Sequence, residues 1–241
     1  MRFLCLHGLG TNSQIFETQT AAIRYELGDS HTYEFVEGTI PVPMAPEFAS
    51  FVTNSNNTNA SKDDDDDDDG KGNGSNFFAY ADFSDLPSCL DALDQLDVYL
   101  AAEGPFDGLL AFSQGATIAA TYLAHRARRR VGSKDQKGAL PFKCAVFFSA
   151  GGVFDVDRLA AGEVKLLTPD EVGEPIDIPT AHIWGRRDDT PVHCDAVEAV
   201  CAAETRQAFV HEGGHEIPGV RSPADVKSSV RVMRRVISMA A

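Results

Sequence analysis

The chain has 241 residues, 43% hydrophobic and 24% charged, ordinary values for a soluble globular protein able to bury a substantial core. Its formal net charge is −15; seven of those charges form the aspartate run 63–69, leaving −8 over the rest. A chain this acidic repels nucleic acid and anionic membranes, which argues against a polyanionic partner. Five widely spaced cysteines with no C-x-x-C pair argue against a disulfide scaffold or a zinc site and for a reducing compartment. The opening "MRFLCLHG" leaves no room for the apolar region of a signal peptide, and no apolar run reaches the roughly 18–20 residues that span a bilayer. A cytoplasmic protein is expected.

In chain order, "RFLCL" (2–6) reads as a buried strand, followed by a loop and a helix "IFETQTAAIRYEL" (15–27). "TYEFVEG" (32–38) is a second strand. The stretch 84–104 carries Leu86, Leu90, Leu93, Leu96 and Leu100 at helical spacing and stops at Gly104. Then come a strand "FDGLLAF", a helix "QGATIAATYLAHRARRR", strands "KCAVFFSA" and "PTAHIWG", a helix near 195–204, a strand "RQAFVH" and a last helix over 222–239. Continuous apolar strands separated by helices predict a single α/β domain over 1–241, with a mainly parallel sheet covered on both faces. Residues 53–76 hold one apolar residue, Ala60, and read as a disordered polar and acidic insert within that domain. A uniform aspartate run lacks the ligand spacing that folds around calcium, so a solvated insert is the reading there.

The pattern Ala111-Phe112-Ser113-Gln114-Gly115 stands at a strand-to-helix junction and resembles the nucleophile elbow G-x-S-x-G with alanine at its first glycine. The turn brings strand and helix backbones together, so the flanking residues must be small, and Ala111 and Gly115 are small. A helix N-cap is the alternative role for this serine. A serine nucleophile needs a base, and the base needs an orienting acid. In an α/β-hydrolase these follow in the order serine, acid, histidine, on loops after later strands. Strand "TAHIW" ends in "GRRDDTPV", offering Asp188 or Asp189, and "QAFVH" ends in "EGGHEIP", offering His215. Asp188 is preferred for its position three residues past Gly185. His215 is preferred over His182, His193 and His211 because two glycines let its loop project it.

The strand-end "HGLG" supplies an oxyanion site, with the backbone N–H of Leu9 joining that of Gln114. The same loop, Gly8-x-Gly10-x-x-Ser13, is a near miss to the dinucleotide fingerprint, lacking its third small residue. Pocket walls are expected from the region after "FVEG" with Phe77, Phe78 and Tyr80, and from 154–177, including Phe154, as a short cap. Phe77 and Phe78 could equally anchor the insert to the core.

On "RFLCLHGLGTNSQIFETQ", "FDGLLAFSQGATIAA", "KCAVFFSAG", "PTAHIWGRRDD" and "HEGGHEIP", the chain resembles the FSH family of fungal serine hydrolases, within the α/β-hydrolases. The resemblance runs from residue 2 to about 230, outside the insert; Ala111 and the insert depart from the family pattern. It implies Ser113 as nucleophile, Asp188 as orienting acid, His215 as base, and no cofactor or metal. It also implies an esterase or thioesterase in fungal secondary metabolism, on a substrate free or carried by a synthase or carrier protein, and the apolar content of the expected pocket walls predicts a medium acyl or polyketide chain. Whether the acyl acceptor is water, an alcohol or a carbon nucleophile stays open. So do two other readings: a non-catalytic binding protein on the same fold, and a nucleotide-binding oxidoreductase using Gly8 and Gly10.

Overall fold

A computed structural model describes residues 1–46, 76–131, 140–189 and 191–241. Residues 53–75 of the predicted insert lie outside them. Among the described residues, six strands form one parallel sheet in the order β2-β1-β5-β6-β7-β8. They are β1 (Arg2–Leu6), β2 (Thr32–Val36), β5 (Gly108–Phe112), β6 (Cys144–Phe148), β7 (Thr180–Gly185) and β8 (Arg206–His211). The helices are α1 (Ser13–Leu27), α2 (Leu86–Glu103), α3 (Gln114–Val131), α4 (Val156–Ala160), α5 (Pro169–Val172), α6 (Pro191–Ala199) and α7 (Pro223–Met239).

The strand reading follows from burial on both faces. β5, β6 and β7 are buried at every residue, while the edge strands β2 and β8 are half-exposed. Alternation sorts the side chains into two cores. Leu4, Leu6, Leu109 and Ala111 face α2 and α3, whereas Phe3, Cys5, Leu110 and Phe112 face α1 and α7. α7 shows the matching helical stripe, with Val226, Val230, Met233 and Val236 buried.

Two departures from the sequence reading have local causes. The helix expected near 195–204 starts at Pro191, a residue suited to a first helical position because its missing N–H has no intrahelical partner to lose. After Ala199 the chain turns, and residue 201 bridges to Ile176 before β8. The second departure is a small antiparallel sheet of β3 (Ile40–Pro41) and β4 (Phe78–Ala79). Strands of two residues carry no readable alternation.

The order of the sheet locates the site. β1 sends α1 and β2 one way, while β5 pairs on its other side. The loops after β1 and β5 therefore diverge and leave a crevice at the carboxyl ends of the strands, where open α/β sheets bind ligands.

Candidate active site

Ser113 follows the last residue of β5 and has φ 52°, in the left-handed region that a non-glycine residue adopts only at a cost of order 1–3 kcal/mol. Its neighbours hold it there. Its N–H donates to Phe148 O at 2.9 Å, and its carbonyl accepts the Thr117 N–H at 2.9 Å and the Thr117 hydroxyl at 3.2 Å. Gly115 allows the close approach: a Cβ there would lie 2.5 Å from His7 O and 2.6 Å from Leu6 O. Its N–H donates to His7 O at 3.1 Å. Ala111 has no left-handed backbone and its methyl is buried in the core on the α2–α3 face, so the elbow asks only for a small residue there.

The acid and base loops are sewn together. Arg186 N–H donates to His211 O at 2.7 Å and Arg187 N–H to Gly213 O at 2.9 Å. A Cβ on Gly185 would lie 2.2 Å from Gly214 O, so the two-glycine loop passes directly over the end of β7. This brings His215 over the elbow. His215 Nε2 is 2.8 Å from Ser113 Oγ, and its Nδ1 is 3.0 Å from Asp188 Oδ2 and 3.2 Å from Oδ1. The Asp188 side chain is fully enclosed, that of His215 is one-quarter exposed, and Asp189 is exposed.

Two of the other candidate histidines are engaged away from Ser113. His182 lies within β7 with Nε2 2.9 Å from Thr180 Oγ1, and burial lowers its pKa to about 3. His211 is buried, and its Nδ1 accepts the Gly213 N–H at 3.1 Å. The side chain of His193 lies outside the described ones. All five cysteines are buried and unpaired, and burial pushes Cys144, Cys194 and Cys201 up to about 12, leaving them protonated at neutral pH.

The "HGLG" loop lies against the elbow. A Cβ on Gly8 would be 2.9 Å from the Phe112 ring and 3.3 Å from Ser113 Cβ, so the backbone leading to Leu9 passes at contact distance from the serine. The Gln114 N–H opens α3 and is one of the donors that a helix start leaves without an intrahelical acceptor. The loop also serves α1: the Asn12 side chain accepts the Ile15 N–H at 2.8 Å as its N-cap.

The expected wall residues divide. Phe78 is tied to this loop by backbone bonds, donating to Thr11 O at 2.8 Å and accepting the Gly10 N–H at 3.0 Å. Phe77 O accepts the Val42 N–H at 2.9 Å. Phe154 bridges to Leu166 and packs edge-on against Phe83 at 5.3 Å. Tyr80 lines a cavity of about 200 Å³ with Leu6, Val36, Leu96, Tyr99 and Ile118. The sequence reading missed Thr117 and the Gln114 side chain. Their signal is position: polar residues on the first turn of a helix whose other face is apolar.

Among the described residues, no helix is long and apolar enough to cross a membrane, and no group of three or more His, Cys, Asp or Glu is placed to hold a metal ion. The family model described as "Serine hydrolase (FSH1)" matches residues 1–225. "Esterase FPY3" of Fusarium mangiferae is 38% identical, with the match covering 100% of this chain and 98% of that protein. "Hydrolase phiM" of a fungal species is 29% identical over 90% of this chain and 86% of its own. In fold, the chain is similar to a carboxylesterase from Mesorhizobium loti, with TM-score 0.56 at 14% identity over 97% of this chain and 88% of that one. The elbow, the parallel sheet and these matches converge: the chain belongs to the FSH1 family of serine hydrolases, enzymes on the α/β-hydrolase fold.

Proposed function

We propose that the protein is an esterase or thioesterase in which Ser113 is the nucleophile, His215 the general base and acid, and Asp188 the residue that orients His215. The observation that carries this reading is the unbroken chain from Ser113 Oγ through the His215 ring to the enclosed Asp188 carboxylate, at 2.8 and 3.0 Å. As Ser113 Oγ bonds to the substrate carbonyl carbon, its proton passes to His215 Nε2 and the carbonyl π pair moves onto oxygen. The Leu9 and Gln114 N–H groups receive that oxyanion. Asp188 holds the Nδ1 proton and stabilises the imidazolium. Collapse of the adduct breaks the ester or thioester bond, and the leaving oxygen or sulfur takes the proton from His215. Water then attacks acyl-Ser113 as His215 takes its proton, and collapse of this second adduct breaks the acyl–Oγ bond, returns the proton to Ser113 Oγ and releases the carboxylic acid. Water is the acceptor in this reading, in keeping with relatives named esterase and hydrolase.

The substrate is a medium acyl or polyketide chain, free or carried on a synthase, in fungal secondary metabolism. The apolar chain is assigned to the cap segment 154–177, where Phe154 packs against Phe83. Five unpaired buried thiols support a reducing, cytoplasmic setting. A fluorophosphonate probe followed by peptide mapping tests the nucleophile, with modification of Ser113 expected. Folded protein that takes no label there, or that keeps turnover as Ser113→Ala, removes the reading. A chain-length series of p-nitrophenyl esters tests the substrate, and turnover confined to acetyl esters removes the medium-chain assignment.

A further inference from the structure

The two oxyanion donors come from different strands, and their spacing must hold to a few tenths of an ångström to match a developing charge. Direct pairing does not extend that far. The β1–β5 ladder ends at Leu6 opposite Ala111, and beyond it the Gly115 N–H to His7 O bond is the remaining direct tie between the two segments among the described hydrogen bonds. A third segment, residues 80–81, joins them. The Tyr80 hydroxyl accepts the His7 N–H at 3.0 Å and donates to Val36 O at 2.7 Å, gripping the ends of both β1 and β2. The Tyr80 N–H donates to Gln114 Oε1 at 2.8 Å, and Gln114 Nε2 donates back to Ala81 O at 2.7 Å. One short stretch thus holds His7, two residues before Leu9, and the side chain of Gln114, whose own N–H is the other donor.

The His7 ring completes the brace. Its Nδ1–H donates to Gly8 O at 2.7 Å, its Nε2 lies 2.9 Å from the Gly38 N–H nitrogen and 3.0 Å from Glu37 Oε1, and its centroid lies 4.7 Å from that of the tilted Tyr80 ring. Burial lowers the His7 pKa against the opposing pull of the Glu37 carboxylate, and it raises that of Tyr80 well above the usual value, so the Tyr80 hydroxyl keeps its proton near neutral pH. We infer that Tyr80 is a positioning residue that, through the Gln114 side chain, sets the separation of the two oxyanion donors. The inference rests on the assignment of Leu9 and Gln114 made above.

The experiment compares Tyr80→Phe, Gln114→Met and the double variant in the full chain, reading kcat, KM, melting temperature and affinity for an aliphatic trifluoromethyl ketone. That ketone forms a hemiketal with a serine nucleophile and places an oxyanion between the donors. Each single variant is expected to lower kcat by about 10–100-fold with KM within twofold. Ketone affinity should fall by the same factor, and the double variant should lose far less than the product of the two. Folded variants with kcat within twofold of the parent overturn the inference. So does a kcat loss with unchanged ketone affinity, or one that follows the folded fraction alone. If Tyr80→Phe fails to fold, Gln114→Met decides, since it leaves every bond of the Tyr80 hydroxyl intact. Ser113→Ala separates the two levels: turnover that survives it overturns the site assignment itself. Abolished turnover in Ser113→Ala with parent-like Tyr80→Phe and Gln114→Met overturns only the brace.

Discussion

Neighbouring strands β5 and β6 end in near copies of one another. Phe112-Ser113-Gln114-Gly115 and Phe148-Ser149-Ala150-Gly151 share the frame F-S-x-G, Phe112 and Phe148 are register partners, and both serines have left-handed backbones, at φ 52° and 45°. Their surroundings differ. A helix starts immediately after Ser113, which turns Oγ upward to within 2.8 Å of His215. After Ser149 the chain continues as a loop, Gly151 N–H reaching Thr117 Oγ1 at 2.8 Å and Phe154 N–H reaching Thr121 Oγ1 at 3.0 Å. Ser149 is buried, and its hydroxyl has no hydrogen-bond partner among the described residues. The two serines thus share a left-handed backbone and a glycine frame, and differ in that a histidine lies within hydrogen-bond reach of one of them.

The largest expected effect breaks that comparison if it is wrong. Ser113→Ala should lower kcat by about 10⁶-fold, as removal of a triad nucleophile does. Ser149→Ala should change kcat less than about threefold. Ser149→Gly should raise the melting temperature, because glycine adopts φ 45° freely and leaves no orphan hydroxyl. Equal losses at both serines, measured on the same ester, would reverse the assignment.

The aspartates sharpen the same contrast between look-alike neighbours. Asp188→Asn should cost roughly 10⁴-fold in kcat by disturbing the His215 tautomer, and exposed Asp189→Asn less than about threefold. The reverse order in steady-state kinetics would move the acid to Asp189.

Among the histidines, the contrast is between one serving the site and one serving the core. His182 is held neutral inside β7, with its pKa lowered to about 3, so below the ordinary value near 6.5 the unfolded chain binds a proton the folded one refuses. Its contribution to stability is present above pH 6.5 and drains as pH falls toward 3, by at most about 1.4 kcal/mol per pH unit. His7 and His211, also lowered by burial, act in the same direction. Chemical denaturation at pH 7, 5.5 and 4.5 should show falling stability, and His182→Gln should flatten the slope. A parallel slope in that variant would assign the acid sensitivity elsewhere.

The smallest effect is expected at Ala111. Ala111→Gly should change kcat by less than about threefold and cost about 0.5–1 kcal/mol in stability, because the methyl is buried and the backbone is ordinary. A large gain in kcat would instead show that this methyl tightens the elbow.

How much of this was legible depends on the range of the interaction involved. β5, β6 and β7 could be read because each is apolar throughout and buried on both faces, and α7 because its apolar positions recur at helical spacing. Asp188 and His215 could be placed because each follows a readable strand. β3 and β4 could not, since strands of two residues exist only through their pairing with each other. Nor could the brace at Tyr80, because a sequence does not show where a hydroxyl points.

By itself the sequence determined the alternation of strands and helices, the small residues at the elbow, and the order of serine, acid and histidine along the chain. These are local properties, set by side-chain size, period and turn chemistry. Tertiary structure added the distances: His215 lies 3.0 Å from Asp188, while Asp189 is exposed, and 2.8 Å from Ser113, while the Ser149 hydroxyl has no hydrogen-bond partner among the described residues. These contacts join groups 27 and 102 positions apart in the chain, and they follow from strand order and loop packing, which bring distant residues within hydrogen-bond reach.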